Sequence, residues 1–209
     1  RYGENPHQEA AWFTFPEQGL TNAKQLQGKE LSYNNLIDLE AAISTVQEFQ
    51  EPAVVVIKHT NPCGVAIGSD LYGALIRALD GDRISAFGGI IALNKVVDSE
   101  CAKELTGSFY ECIVAPGFTE EAKQLFEVKK NLRILQLDVD SIETSAYTIR
   151  SIMGGLLVEE KDNKPVDINE WKVCTEREPT TQEMVDLLFS WKVCRHVRSN
   201  AIVVARDGK

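Results

Sequence analysis

No stretch of 18 apolar residues occurs in the chain, which excludes a membrane-spanning helix. The opening residues, Arg1-Tyr2-Gly3-Glu4-Asn5-Pro6, have neither an apolar core nor a cleavage pattern, so no signal peptide is expected. Positive charge is not in surplus: 22 Lys and Arg face 31 Asp and Glu, a net charge of −9. A nucleic-acid partner is therefore not expected, while a local basic pocket for one small anion stays open. The five cysteines, Cys63, Cys101, Cys112, Cys174 and Cys194, form no CxxC pair. Their odd number and spacing point to free thiols in a reducing compartment, and a cytoplasmic location is expected. Neither GxGxxG nor GxxxxGK[ST] is present, so a dinucleotide fold and a P-loop are unsupported. No GxSxG elbow and no HExxH occur. The zinc-deaminase patterns HxE and PCxxC also fail, because His59-Thr60-Asn61 lacks the Glu and Pro62-Cys63-Gly64-Val65-Ala66 lacks the second Cys. No zinc is expected.

What is there is an ordinary globular composition. The 209 residues are 44% hydrophobic and 25% charged, enough to bury a core without disulfide or metal staples. Four continuous apolar runs, Ala53–Ile57, Ile90–Leu93, Cys112–Ala115 and Arg133–Leu137, read as strands covered on both faces. Helical spacing lies between them. Leu36, Leu39, Ile43 and Val46 follow a cap at Asn35, with Asp38 and Glu40 in the first turn. Leu71, Ala74, Leu75, Ala78 and Leu79 follow Ser69-Asp70 and stop at Gly81. Asp98 and Thr119 can cap two further helices. Strands alternating with helices predict a layered α-β-α domain with a mostly parallel sheet.

Beyond Leu137 the pattern loosens. Gly154-Gly155 precedes a short strand at Leu156–Val158, and Val166–Pro179 is weakly patterned. Thr180-x-x-Glu183 is a capping box opening a helix with Met184, Val185, Leu187, Leu188 and Trp191. Ala201–Ala205 reads as another strand, followed by the hairpin signal Asp207-Gly208. The expected organisation is an α/β domain over 1–160, a connector over 161–178, and over 179–209 the helix and strand that begin a second domain. A strand and turn with no returning strand suggest a longer parent chain.

Three segments carry more polar and glycine residues than packing needs. They are Arg1 to Gln8, Val54 to Gly64 with its Lys58-His59-Thr60-Asn61-Pro62-Cys63-Gly64, and Ser85-Ala86-Phe87-Gly88-Gly89. Each alone has a structural explanation: a frayed terminus, a hydrogen-bonded His beside a solvated Lys, a tight turn. A Lys and a His at the carboxyl end of a strand can also supply charge stabilisation and a proton acceptor. Neighbouring strand residues face opposite sides, so both serve one site only if the backbone leaves strand geometry there.

Together these segments are far more specific. Arg1-Tyr2-Gly3-Glu4-Asn5-Pro6-His7-Gln8, Gln27-Gly28-Lys29-Glu30-Leu31-Ser32-Tyr33-Asn34-Asn35, Lys58 to Gly64, Asp82-Arg83-Ile84-Ser85-Ala86-Phe87-Gly88-Gly89, Ile113-Val114-Ala115-Pro116 and Ser199-Asn200-Ala201-Ile202-Val203 occur in order over nearly the whole chain. In this the chain resembles the N-terminal half of the transformylase region of the AICAR transformylase/IMP cyclohydrolase family. The resemblance implies a cytidine-deaminase-like α/β unit followed by the start of a related one. It implies formyl transfer from the cosubstrate 10-formyltetrahydrofolate to the 5-amino group of AICAR, in a homodimer with shared sites. The family's cyclohydrolase, a hydrolase, normally precedes the RYGENPHQ-like segment, and further nucleotide and folate contacts normally follow the SNAIV-like one. A potassium requirement is implied too, with ligands mostly beyond these residues. By resemblance, Lys58 and His59 are catalytic, and Arg1, Tyr2, Gly88, Glu111 and Asn200 contact the nucleotide, His59 among them. A nucleotide-binding module without catalysis and a structural or dimerisation piece are the alternatives.

Overall fold

The computed structural model describes residues 2–16, 18–142 and 145–209. Six strands form one sheet in the order β1 (Lys24–Gln27), β6 (Arg133–Gln136), β5 (Cys112–Ala115), β4 (Ile90–Leu93), β2 (Ala53–Lys58) and β3 (Asn61–Ile67). β4 pairs parallel with β5 and β5 with β6, whereas β2 runs antiparallel to both β4 and β3, and β1 to β6. Thus β3, β4, β5 and β6 share one direction, giving the mostly parallel sheet expected, while the reversed β1 and β2 make it mixed.

Helices cover both faces, giving three layers. Val54 and Val56 point into a core with α2 (Leu71–Leu79), α4 (Ser99–Thr106) and α5 (Glu120–Phe126). Val55 and Ile57 point the other way, toward α1 (Tyr33–Val46) and α6 (Thr181–Cys194). That two-sided burial is why these strands are apolar without alternation. A short helix α3 (Arg83–Ala86) leads into β4. The five cysteines are free, with Cys101 and Cys112 buried. Among the described residues no helix is long and apolar enough to cross a membrane.

Several boundaries differ from the sequence reading. The cap of α1 is Ser32, whose side chain accepts from Asn35 N–H while Asn35 Oδ1 accepts from Ser32 N–H. Asn35 is thus the reciprocal partner in a capping box, and Asp38 falls in the second turn. Strands β1 and β3 were not foreseen, because Lys24–Gln27 is polar and Pro62 and Gly64 read as breakers. Both lie at sheet edges, where polar residues and a missing Pro N–H are tolerated. The expected strand at Leu156–Val158 is part of β8 (Gly155–Glu160), which pairs with β7 (Tyr147–Ile152) in a separate hairpin exposed on both faces. Ala201–Ala205 is not a strand: Val203 and Ala205 pack against the α1/α6 core while Ile202 and Val204 are exposed, without ladder pairing.

Helix α6 lies on the sheet through Phe189 and Val193, with the Phe189 ring tilted against Phe49, centroids 5.3 Å apart. A polar clasp reinforces that contact. Glu48 Oε1 accepts from Arg195 Nη1 at 3.2 Å and lies 2.9 Å from His196 Nε2, and Lys192 Nζ donates to Glu48 O. Burial alone would raise the Glu48 carboxyl, but the His196 hydrogen bond and the Arg195 and His196 charges hold it below its ordinary 4.5. A depressed carboxylate contributes stability above its unfolded pKa and loses it as pH falls through the folded one. The urea midpoint of the parent chain is therefore expected to drop more between pH 7 and pH 3 than that of Glu48→Gln. Equal drops would mean that the clasp carries no net stability.

Candidate active site

Strands β2 and β3 are joined by two residues, His59 and Thr60, with φ of 51° and 64°. Both left-handed residues match the tight hairpin turn whose twist suits paired strands. A non-glycine residue in that region costs about 1–3 kcal/mol, and His tolerates it better than a β-branched Thr. The chain therefore leaves strand geometry directly after Lys58. Lys58 ends the strand and His59 stands on the turn, so the period-two separation of neighbours does not apply to them.

Farther along the hairpin, Ile57 pairs with Pro62 and Val56 with Gly64, leaving Cys63 as the extra residue of a bulge. Cys63 Sγ donates to Val56 O at 3.5 Å. Burial, then the charge of Asp82, pushes its thiol up to about 11, so it is a poor nucleophile near neutral pH. Gly64 packs against α2 so closely that a Cβ would lie 2.0 Å from Ala78 O. The glycine of the Lys58–Gly64 motif is thus a packing requirement.

Lys58 reaches toward the loop before β4, where its Nζ donates to Phe87 O at 2.8 Å. Gly88 follows with φ of 69°, and a Cβ there would stand 3.1 Å from that Nζ and 3.5 Å from Phe109. Gly88 N donates to Phe109 O, and the Phe87 and Phe109 rings meet at a tilt with centroids 5.4 Å apart. Glu111 comes two residues later at the foot of β5, its N–H donating to Gly89 O. Its carboxylate is paired with Arg133 Nη1 at 2.6 Å, and Arg133, nearly buried, also donates to Glu30 O.

These groups lie along one edge of the sheet. It is the carboxyl end of β2 but the amino end of β4, β5 and β6, because β2 runs against β4. The rule that ligands meet carboxyl ends led to Lys58 and His59, but it does not describe the rest of this edge.

On the α1 side, Asp38 Oδ1 accepts the Thr60 N–H at 2.7 Å. Burial raises the Asp38 carboxyl, opposed by that hydrogen bond and by the charges of His59, Lys58 and Arg198. Arg198 N donates to Asn61 Oδ1, bringing the Arg198-Ser199-Asn200 segment to the hairpin, with Asn200 exposed. Tyr2 sits in a local N-terminal loop, bridged to Glu9, with Gly3 N donating to Gln8 O. Arg1 lies outside the described residues. The structure thus gathers Lys58, His59, Gly88 and the Arg198–Asn200 segment around the hairpin, with Glu111 farther along the edge. Asp38 and Arg133 were missed as site neighbours. The available signals were two, an acid on α1 and a base opening a strand, neither specific. A groove of about 860 Å³ between residues 168–190 and 205–207 contains none of these groups.

A mixed six-stranded sheet with helices on both faces, presenting a Lys-His hairpin beside a glycine-containing loop, puts the chain in the layered α/β class. The family model described as AICARFT/IMPCHase bienzyme matches residues 1–209, and the chain belongs to that family. It is 56% identical to the bifunctional purine biosynthesis protein PurH of Synechococcus sp. (strain CC9605), across 100% of this chain and 42% of that protein. The same protein of Synechococcus sp. (strain CC9311) is 57% identical, across 100% and 41%, and that of Prochlorococcus marinus (strain MIT 9313) 54%, across 100% and 43%. The chain spans about two fifths of the length of the curated relatives it matches. Of solved structures, Acinetobacter baumannii RibD (form 2) overlaps 47% of this chain and 32% of its own at a TM-score of 0.33 and 14% identity, too slight to bear on the fold.

Proposed function

We propose that the chain serves purine biosynthesis by transferring the formyl group of 10-formyltetrahydrofolate to the 5-amino group of AICAR. One observation carries this reading: Lys58 Nζ is pinned over the bare backbone of Gly88, next to a His on a turn held apart from the strand. The AICAR amine is conjugated with its ring and carboxamide and is a weak nucleophile. As its nitrogen attacks the formyl carbon, an N–H proton passes to His59 and the carbonyl electrons move onto oxygen. Lys58 faces that oxyanion. Its hydrogen bond to Phe87 O uses one of three N–H donors, leaving two for the substrate oxygen. Collapse breaks the bond to N10 of the folate, whose nitrogen takes the pair and recovers the proton from His59.

Gly88, Glu111, Tyr2, Asn200 and Arg1 are assigned to the nucleotide, with Arg133 holding the Glu111 carboxylate. Action as a cytoplasmic homodimer with shared sites belongs to the same reading. Among the described residues no group of three His, Cys, Asp or Glu side chains is placed to hold a metal ion.

The test is Lys58→Met in the full-length gene product, assayed with AICAR and 10-formyltetrahydrofolate. One preorganised oxyanion donor is worth about 3 kcal/mol, so kcat is expected to fall about 10²-fold. An unchanged kcat would remove Lys58 from the chemistry. AICAR binding without any transfer by the parent protein would make it a nucleotide-binding module.

A further inference from the structure

The turn that presents His59 is not made of residues that form such turns unaided. Asn-Gly and Asp-Gly do, whereas His59-Thr60 puts a β-branched side chain in the left-handed region. Some of its ties are internal: Thr60 Oγ1 and Asn61 Nδ2 donate to His59 O at 2.7 and 3.3 Å. These shape the turn but do not fix where it sits. Two ties come from outside. Arg198 N donates to Asn61 Oδ1, and Thr60 N–H donates to Asp38 Oδ1 at 2.7 Å. Asp38 stands on α1, which is anchored by buried Leu39, Ala42, Ile43 and Val46. Its carboxylate therefore links the turn to a helix packed on the sheet. Lys58 is separately fixed by Phe87 O.

We infer that Asp38 is a positioning residue for the transfer: by accepting the Thr60 N–H it sets the place and direction of the His59 imidazole relative to Lys58 Nζ. This rests on the reading of His59 as the base. Asp38 has no role in the bond-making steps, and its effect falls on kcat through geometry.

The experiment compares Asp38 variants of the full-length gene product in steady-state transfer assays. Displacing a reacting group by about 1 Å can cost 10²-fold. Asp38→Ala is expected to lower kcat about 10–100-fold with the KM for AICAR changed less than ~3-fold. Asp38→Asn keeps an acceptor oxygen and is expected to restore kcat to within ~3-fold of the parent. Asp38→Glu, which retains charge but moves the acceptor, is expected to fall about 10-fold and serves if the alanine variant does not fold. Amide exchange at Thr60 should quicken in Asp38→Ala and not in Asp38→Asn, independently of turnover. An unchanged kcat in both displaced variants, or an Asn variant as impaired as Ala, would overturn the inference. His59→Ala is run alongside. If it is impaired while the Asp38 variants are not, the positioning role alone fails. If it too is unimpaired, the base assignment fails and this inference with it.

Discussion

Replacing His59 by alanine in the full-length gene product is expected to lower the rate of formyl transfer about 10²–10⁴-fold, the usual worth of a positioned general base. Affinity for AICAR should change far less. The proton acceptor acts on the amine during attack, whereas the nucleotide is held by several other groups. The turn itself should survive, since Asp38 and the Asn61 amide hold its backbone through Thr60 N–H and His59 O. His59→Asn is the better-controlled partner variant, because Asn enters the left-handed region readily yet cannot serve as a base near neutral pH. Single-turnover kinetics with a separate AICAR titration distinguish the outcomes. Equal losses of affinity and turnover would make His59 a ligand contact only.

The second large effect falls on stability. Gly64→Ala places a methyl carbon 2.0 Å from the backbone oxygen of Ala78, where neither neighbour is a flexible side chain. Helix α2 must move off β3, or the bulge at Cys63 must rearrange. Overpacking of that kind typically costs 1–3 kcal/mol and sometimes more, and a backbone-to-backbone clash belongs at the upper end, about 3 kcal/mol. At roughly 2–4 °C per kcal/mol for a domain of this size, Tm should drop ~6–12 °C. Thermal denaturation of the purified variant measures it. A Tm equal to the parent's combined with lost AICAR binding would mean that Gly64 lies against ligand. Gly88 offers the contrast, since a Cβ there meets the Lys58 ammonium and Phe109 and falls on the proposed site.

Much of the framework could be read from residue order. β2, β4 and β5 are apolar over four or more residues, and such runs bury both faces in any layered α/β fold. Asp70, Asp98, Thr119 and Thr180 cap helices where their side chains suggested, because capping is a matter of three or four consecutive residues. The ordered motifs likewise pointed to the family. Less local features were not legible. Lys24–Gln27 is a strand only because β6 offers it an edge, and Asn61–Ile67 only because a tight turn folds it back on β2. Conversely Ala201–Ala205 has strand composition and no ladder, since composition cannot supply a partner edge.

The sequence alone determined that Lys58 and His59 are adjacent and follow a buried apolar strand. It also determined that the glycine pair Gly88-Gly89 leads into the apolar run of β4. Only the tertiary structure decided that β2 runs against β4. That reversal brings the Phe87–Gly88 loop, 29 residues later in the chain, within 2.8 Å of Lys58, and sets Glu111 with Arg133 along the same edge. It also decided that Asp38 meets Thr60 across 22 residues. Strand direction and helix placement depend on how whole elements bury their faces together, and no local pattern encodes which side chain will stand opposite which.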